Sequence, residues 1–214
     1  MAMLRPAHSL GKLDGAANLG ALVDPRLVSA ACIDGLSATD CATEGQSIVD
    51  MEYRLGTGAG FELGVRGLFP PRALLLKYAI VDERRHRAPL SVGLAAEVGA
   101  FLGEGDGHHI SFDLVPYGRG DLLLSSSIRV APGVQLRPLA SAGWWEEPRG
   151  GLELARGVGF TGGVFVPIRV SGGIGVSPGV GVSAWLPRDR TPELYARLGL
   201  QIESWFEPAR DTIP

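Results

Sequence analysis

Lysine is almost missing from this chain: Lys12 and Lys77 stand alone among twenty basic residues. A water-soluble surface normally carries many flexible lysines, so an ordinary soluble exterior is not the first expectation. The arginines are scattered singly, and the net charge of -3 with a pI near 5.8 leaves no basic footprint for nucleic acid. No run approaches the ~18 apolar residues of a spanning helix. No helical stripe of useful length is present either; the one short candidate lies around Pro25 to Ala31. Metal-ligand spacing is also absent. His108 and His109 are adjacent and so point to opposite strand faces, while His8 and His86 are isolated, and all four are expected at the surface. The sequence implies no cofactor. Cysteine is limited to Cys32 and Cys41, close together in a stretch rich in Ser, Thr, Asp and Gly, where a disulfide is expected if the protein is exported. Met1 to Gly11 lack the apolar core of a secretory signal, so export requires a signal removed from this sequence or a start placed elsewhere.

What the chain does have is alternation. Leu90, Val92, Leu94, Ala96, Val98, Ala100 and Leu102 share one parity, with Ser91, Gly93, Ala95, Glu97, Gly99 and Phe101 on the other. Side chains alternate faces along a strand, so this segment has one oily face and one tight, polar face. Ten segments read this way, at 10–23, 48–57, 60–69, 72–82, 89–102, 109–117, 121–137, 151–168, 173–186 and 193–206. Several reach or exceed the ~9–11 residues a tilted strand needs to cross a bilayer. With no linker or composition break, the expectation is one all-β domain over 10–206, an extension at 1–9 and a tail at 207–214. The predicted architecture is an antiparallel up-and-down transmembrane barrel of about ten strands, with eight or twelve as alternatives. If the chain starts on the inner side, the connections at 24–47, 69–71, 103–108, 138–150 and 187–192 lie outside; those at 58–59, 83–88, 118–120 and 169–172 lie inside.

The two faces decide which surface meets the surroundings. One parity collects Tyr53, Leu55, Leu63, Leu74, Leu76, Ile80, Val158, Phe160, Val180 and Leu198, with almost no charge. The other collects Glu52, Arg54, Glu62, Arg66, Lys77, Glu97, Asp113, Arg129, Arg137, Arg197 and Glu203 among many Gly and Ser. A soluble barrel would turn the second face to water, leaving an exterior largely of Gly, Ser and Ala. A membrane barrel turns it inward, where opposite charges pair and small residues let a narrow lumen close. The second arrangement fits better, and these eleven charged residues form the expected lumen network. Arg156 falls on the lipid parity, which requires it near a rim. Tyr53, Tyr78, Phe61, Phe69 and Phe206 suit interfacial girdles, and Trp144-Trp145 the outer boundary.

The chain's last alternating segment runs from Leu194 to Phe206 and ends in an aromatic residue. It resembles the closing strand of Gram-negative outer-membrane β-barrel proteins, whose terminal aromatic is read by the barrel-insertion machinery; here Glu207 to Pro214 follow where most members stop. The resemblance is to the small, mostly uncharacterised members of that class. It implies an outer-membrane location in a Gram-negative bacterium, with the lipid bilayer and the insertion machinery as partners. A monomer is expected, and nucleic acid is not a partner.

Chemistry is sparse. His109, Ser111 and Asp113 share one strand face, and an imidazole beside a hydroxyl is a nucleophile arrangement. His-x-Ser is similar to part of the motif of outer-membrane lipid A deacylases, but Phe112-Asp113 replaces the Asn-Ala that follows in that family. No catalytic residue is therefore assigned. Gly56 to Gly60 read as a hairpin turn, not a phosphate loop, because no helix follows. The functional expectation is a structural or surface-binding barrel with a charge-plugged lumen, contacting partners through 24–47 and 138–150. A narrow ion or solute channel, a membrane-embedded lipid hydrolase and a soluble lipid-binding barrel are the alternatives.

Overall fold

A computed structural model describes residues 4–12, 14–23, 48–67, 72–104, 112–131, 134–148, 154–171, 174–188 and 191–204. Its elements are β1 (Gly15–Val23), β2 (Ile48–Gly58), β3 (Phe61–Arg66), β4 (Ala73–Val81), α1 (Glu83–His86), β5 (Ser91–Glu104) and β6 (Phe112–Ser125). There follow β7 (Ile128–Ala131), β8 (Val134–Pro148), β9 (Leu154–Phe165), β10 (Ile168–Ser171), β11 (Ile174–Pro187) and β12 (Glu193–Ser204). Every strand pairing is antiparallel. Ten strands close in the order β1-β2-β3-β4-β5-β6-β8-β9-β11-β12, and β12 returns to β1 with Ala16 opposite Glu203 and Val23 opposite Ala196. The expected all-β, ten-stranded closed barrel is therefore what the chain forms. No helix among the described residues is long and apolar enough to cross a membrane.

The middle of the chain differs from expectation. The expected turn at 118–120 between the segments 109–117 and 121–137 is instead the middle of one strand, β6, which continues as β7 after a break at Ser126-Ser127. β7 and β8 pair antiparallel, so the chain reverses between Ala131 and Val134, and most of the expected loop at 138–150 is the strand β8. Gly118 and Gly120 invite a turn reading, but ladder pairing of Arg119 with Trp145 and of Asp121 with Gly143 overrides that local preference. A quasi-repeat explains the pattern. Ile128-Arg129-Val130 and Ile168-Arg169-Val170 lie forty residues apart, and each forms a short strand folded on the start of its successor in the same register. Just before each, a backbone N–H (Ser126, Val166) donates to the carbonyl of a proline (Pro138, Pro178).

The two ends of the barrel are unlike. One, here the near end, gathers the tight β2–β3 turn, the α1 connection and the β7–β8 and β10–β11 reversals. The far end gathers the strand ends Val23 and Ile48, Arg66 and Ala73, Glu104 and Phe112, Pro148 and Leu154, and Pro187 and Glu193. The near-end turn at Gly58-Ala59-Gly60 has all three residues at positive φ, which explains its glycines and bears out the hairpin reading. In the charged β4–β5 connection, Asp82 caps α1 by accepting from the Arg84 N–H at 3.0 Å.

Two surfaces follow from the alternation. Leu55, Leu63, Leu76, Leu94, Leu122, Phe160, Val182 and Leu198 point outward and are exposed. Glu52, Glu62, Lys77, Glu97, Asp121, Arg137, Arg197 and Glu203 point inward and are buried. Residues 4–12 are not a strand. The ladder begins at Gly15, not near residue 10, and the chain before it runs inside the barrel, with Leu4, Arg5, Ala7, His8, Ser9 and Leu10 all buried. A ten-stranded ring is wider than the eight-stranded barrels whose wall side chains just fill the interior, and this segment takes up the extra room.

Candidate functional site: the charged lumen and its plug

Most of the expected network is brought together inside the barrel. Near the mouth of the near end, Glu62 on β3 accepts from Lys77 Nζ at 2.8 Å and from Arg54 Nη1 at 2.6 Å. Arg54 also lies 3.0 Å from Glu52, which takes a further bond from Asn18 at 3.2 Å. Deeper in, Glu97 on β5 accepts from Arg66 Nη1 at 2.5 Å, and Arg66 Nε donates to Asp50 at 2.5 Å. Across the lumen Arg137 donates to Glu203 at 3.0 Å, and Arg197 donates to the Ser183 hydroxyl. Buried charges persist only when paired and hydrogen-bonded, and the alternation that points them inward places each beside an opposite charge or a hydroxyl.

Two members of the expected set are not placed there. Arg129 is exposed: β7 pairs only with β8, beyond the ring, and all four of its residues face outward. Asp113 belongs to β6, but its side chain is not among those described. The Cys32–Cys41 disulfide, the His109/Ser111 pair and Phe69 and Phe206 also lie outside the described residues. His8, expected at the surface, is buried. Trp144 faces outward as expected, with Arg188 stacked over its ring at 4.8 Å, but Trp145 turns inward, as successive strand residues must. Tyr53 is exposed but lies midway along β2, whereas Phe61 and Tyr78 stack near one end with ring centres 4.4 Å apart. Arg156 stands at the start of β9, 58 % exposed and 3.0 Å from Glu146, at the rim its parity requires.

Several lumen residues escape the sequence reading. Arg119 and Asp121 make a two-pronged pair, at 2.6 and 3.1 Å, while Trp145 donates to Asp121 at 2.7 Å and Arg119 sits 4.1 Å above its ring. The turn reading at 118–120 hides Arg119 and the loop reading at 138–150 hides Trp145, while Asp121 stands on the polar parity at the start of the expected strand 121–137; pairing 128–136 with 168–176 as a repeat would move that turn and reveal them.

The largest omission is the plug. Arg5 reaches three carboxylates on three strands: Nε donates to Glu52 at 2.7 Å, Nη2 donates to Glu97 at 2.7 Å, and Nη1 stands 3.7 Å from Asp121. Burial works against its charge, yet the pull of Glu52 and Glu97 dominates and holds it more firmly protonated than a free arginine. Wall side chains also bind the plug's backbone. Ser125 Oγ takes the Ala7 N–H at 2.8 Å, Asp82 the Ser9 N–H at 3.0 Å and its hydroxyl at 2.6 Å, and Glu62 the Leu10 N–H at 2.9 Å. Lys77 Nζ donates to the His8 carbonyl at 2.5 Å. His8 Nε2 lies 3.8 Å from Glu203; burial first, then Arg84 and Arg137, push its pKa well below the ordinary 6.5, so it is neutral in place.

Glycine makes room for this segment. A Cβ on Gly56 would strike the Gly11 carbonyl, one on Gly93 would lie 3.2 Å from the Ala7 oxygen, and ones on Gly163 and Gly181 would each stand 3.1 Å from Leu4 Cδ2. Leu4 packs with Leu139 and Phe165, and a void of about 10 Å³ beside it, bordered by Asn18, Gly20 and Arg197, is water-sized. Among the described residues no group of three or more His, Cys, Asp or Glu is placed to hold a metal ion. The lumen as described is a closely packed interior of paired charges. No protein-family model and no curated protein matches the chain.

Proposed function

We propose that this protein is a bilayer-embedded β-barrel of a Gram-negative outer membrane, closed by its own plug and acting in a structural or surface-binding role. The observation that carries the reading is the inverted polarity: all ten ring strands present exposed large apolar side chains outward, while the charged residues pair inside. Exposed apolar patches beyond a few hundred Å² mark membrane or protein contact, and a belt around a closed barrel fits lipid because closure leaves no unpaired sheet edge. The near end, with its short turns, would face the periplasm. The far end, with the connection at 24–47, would face outward and supply the surface contacts. The alternating strand from Leu194 is the segment the insertion machinery would read. Trp144, Arg188, Arg156 and Glu146 would form the outer interface, where an exposed arginine costs little.

The reading is tested by folding the chain into detergent or vesicles and comparing boiled and unboiled samples on gels. Heat-modifiable migration and retention in the membrane fraction after carbonate washing are expected. A monodisperse, folded protein in plain buffer would overturn it.

A further inference from the structure

We propose that residues 4–12 are a displaceable stopper and that their withdrawal opens a passage for small ions through the barrel. The proposal rests on the bilayer reading above and adds an activity to it. The segment lies within the wall but joins none of its ladders. It is continuous with β1 through Asp14 at the near end, so it can leave by that mouth without breaking a strand pairing. Its polar attachments are one guanidinium, three backbone N–H groups, one carbonyl and one hydroxyl bound by wall side chains, while Leu4 packs on Leu139 and Phe165 and Ala7 on Leu75, Ala95 and Leu123. Water can replace the polar bonds one for one, which lowers the net cost of losing each. The His8 Nδ1 atom, fully buried, has no hydrogen-bond partner among the described residues, so the fit is not a perfected core.

What the stopper leaves behind favours a passage. Where it touches the wall the barrel offers Gly56, Gly93, Gly163 and Gly181, which carry no side chains to collapse into the space. The charged groups that meet it are also paired within the wall. Glu52, Glu97 and Asp121 surround Arg5 and have Arg54, Arg66 and Arg119 as further partners; Asp82 and Glu62 hold Ser9 and Leu10, Glu203 faces His8 while bonded to Arg137, and Lys77 holds the His8 carbonyl. Withdrawing Arg5 therefore leaves each of its three carboxylates with an arginine of the wall, so water and ions can enter without stranding a buried charge.

Planar bilayers with the full-length protein test this. The wild type should be mostly closed, and Arg5→Ala should raise the open fraction by about tenfold or more, the factor given by losing one charge-assisted hydrogen bond. As a second variant, Ala7→Cys with Ala95→Cys, made in the Arg5→Ala barrel alongside Cys32→Ser and Cys41→Ser, joins stopper to wall, since Ala7 and Ala95 pack in one buried cluster. Oxidation should silence conductance and reduction restore it. A heat-modifiable Arg5→Ala barrel that conducts no more than wild type, or a cross-link without effect, would overturn the proposal. A chain that never enters the bilayer would instead overturn the membrane reading beneath it.

Discussion

At the scale of single residues, His8 and Lys77 show how the lumen holds ionisable groups. His8 is kept neutral by burial and by Arg84 on α1 and Arg137 on β8, against the attraction of Glu203 on β12, while Lys77 on β4 binds its carbonyl. In the withdrawn plug the imidazole returns to its ordinary value near 6.5, so the withdrawn state binds the proton more readily. Retention of the plug is therefore full above about pH 6.5 and weakens as pH falls below it, by at most about tenfold per unit. Open fraction measured between pH 7 and 5.5 should rise on acidification in the wild type and stay flat in His8→Gln. Lys77 sits fully buried between Glu62 and the His8 carbonyl. Lys77→Met should cost about 3 kcal/mol, the low end for breaking a buried pair, because Arg54 still faces Glu62. Urea unfolding from vesicles would measure it, and an unchanged midpoint would contradict the pairing described.

At the scale of elements, the alternating strands carry the strongest signal and the connections the weakest. Leu76 lies at the centre of β4 with its side chain exposed, opposite Leu63 on β3 and Ala96 on β5. Leu76→Arg should destabilise the barrel by about 2–4 kcal/mol if this belt meets lipid, whereas Leu194→Arg, at the start of β12 near the rim, should cost about 0–1 kcal/mol. Folding titrations in vesicles of both variants would check the gradient; equal costs would argue against a bilayer around the belt. The period of two was legible because each strand buries one face in the lumen, and a one-residue slip would turn every charge outward. The strand ends were less legible. Gly118-Arg119-Gly120 has the composition of a turn, and only its pairing with β8 makes it mid-strand. Ser126-Ser127 breaks β6 from β7 where the α1 connection meets it: Glu83 accepts from the Ser127 N–H and hydroxyl, and Ser126 donates to the Pro89 carbonyl.

For the whole molecule, closure of β12 onto β1 turns a list of charged residues into a network. Arg137 and Glu203 are 66 positions apart and meet because β8 and β12, three places apart round the ring, face one lumen; Arg5 meets Glu97 across 92 positions because the plug runs through that lumen. The order of residues alone specifies the all-β class, the two unlike faces and most of the inward charges, because strand periodicity is local and a half-buried sheet writes it residue by residue; the count of ten agrees only because dividing β6 in two offsets reading most of β8 as a loop. Residue order also marked Arg156 for the rim. Long-range contacts were needed to place the extension before β1 inside the barrel as a plug, to bury His8, to set Arg129 beyond the ring and to join Trp145 to Asp121 inside. Those outcomes depend on the width of the closed ring and on which distant walls face each other across it, and neither quantity exists until every strand has found its neighbour.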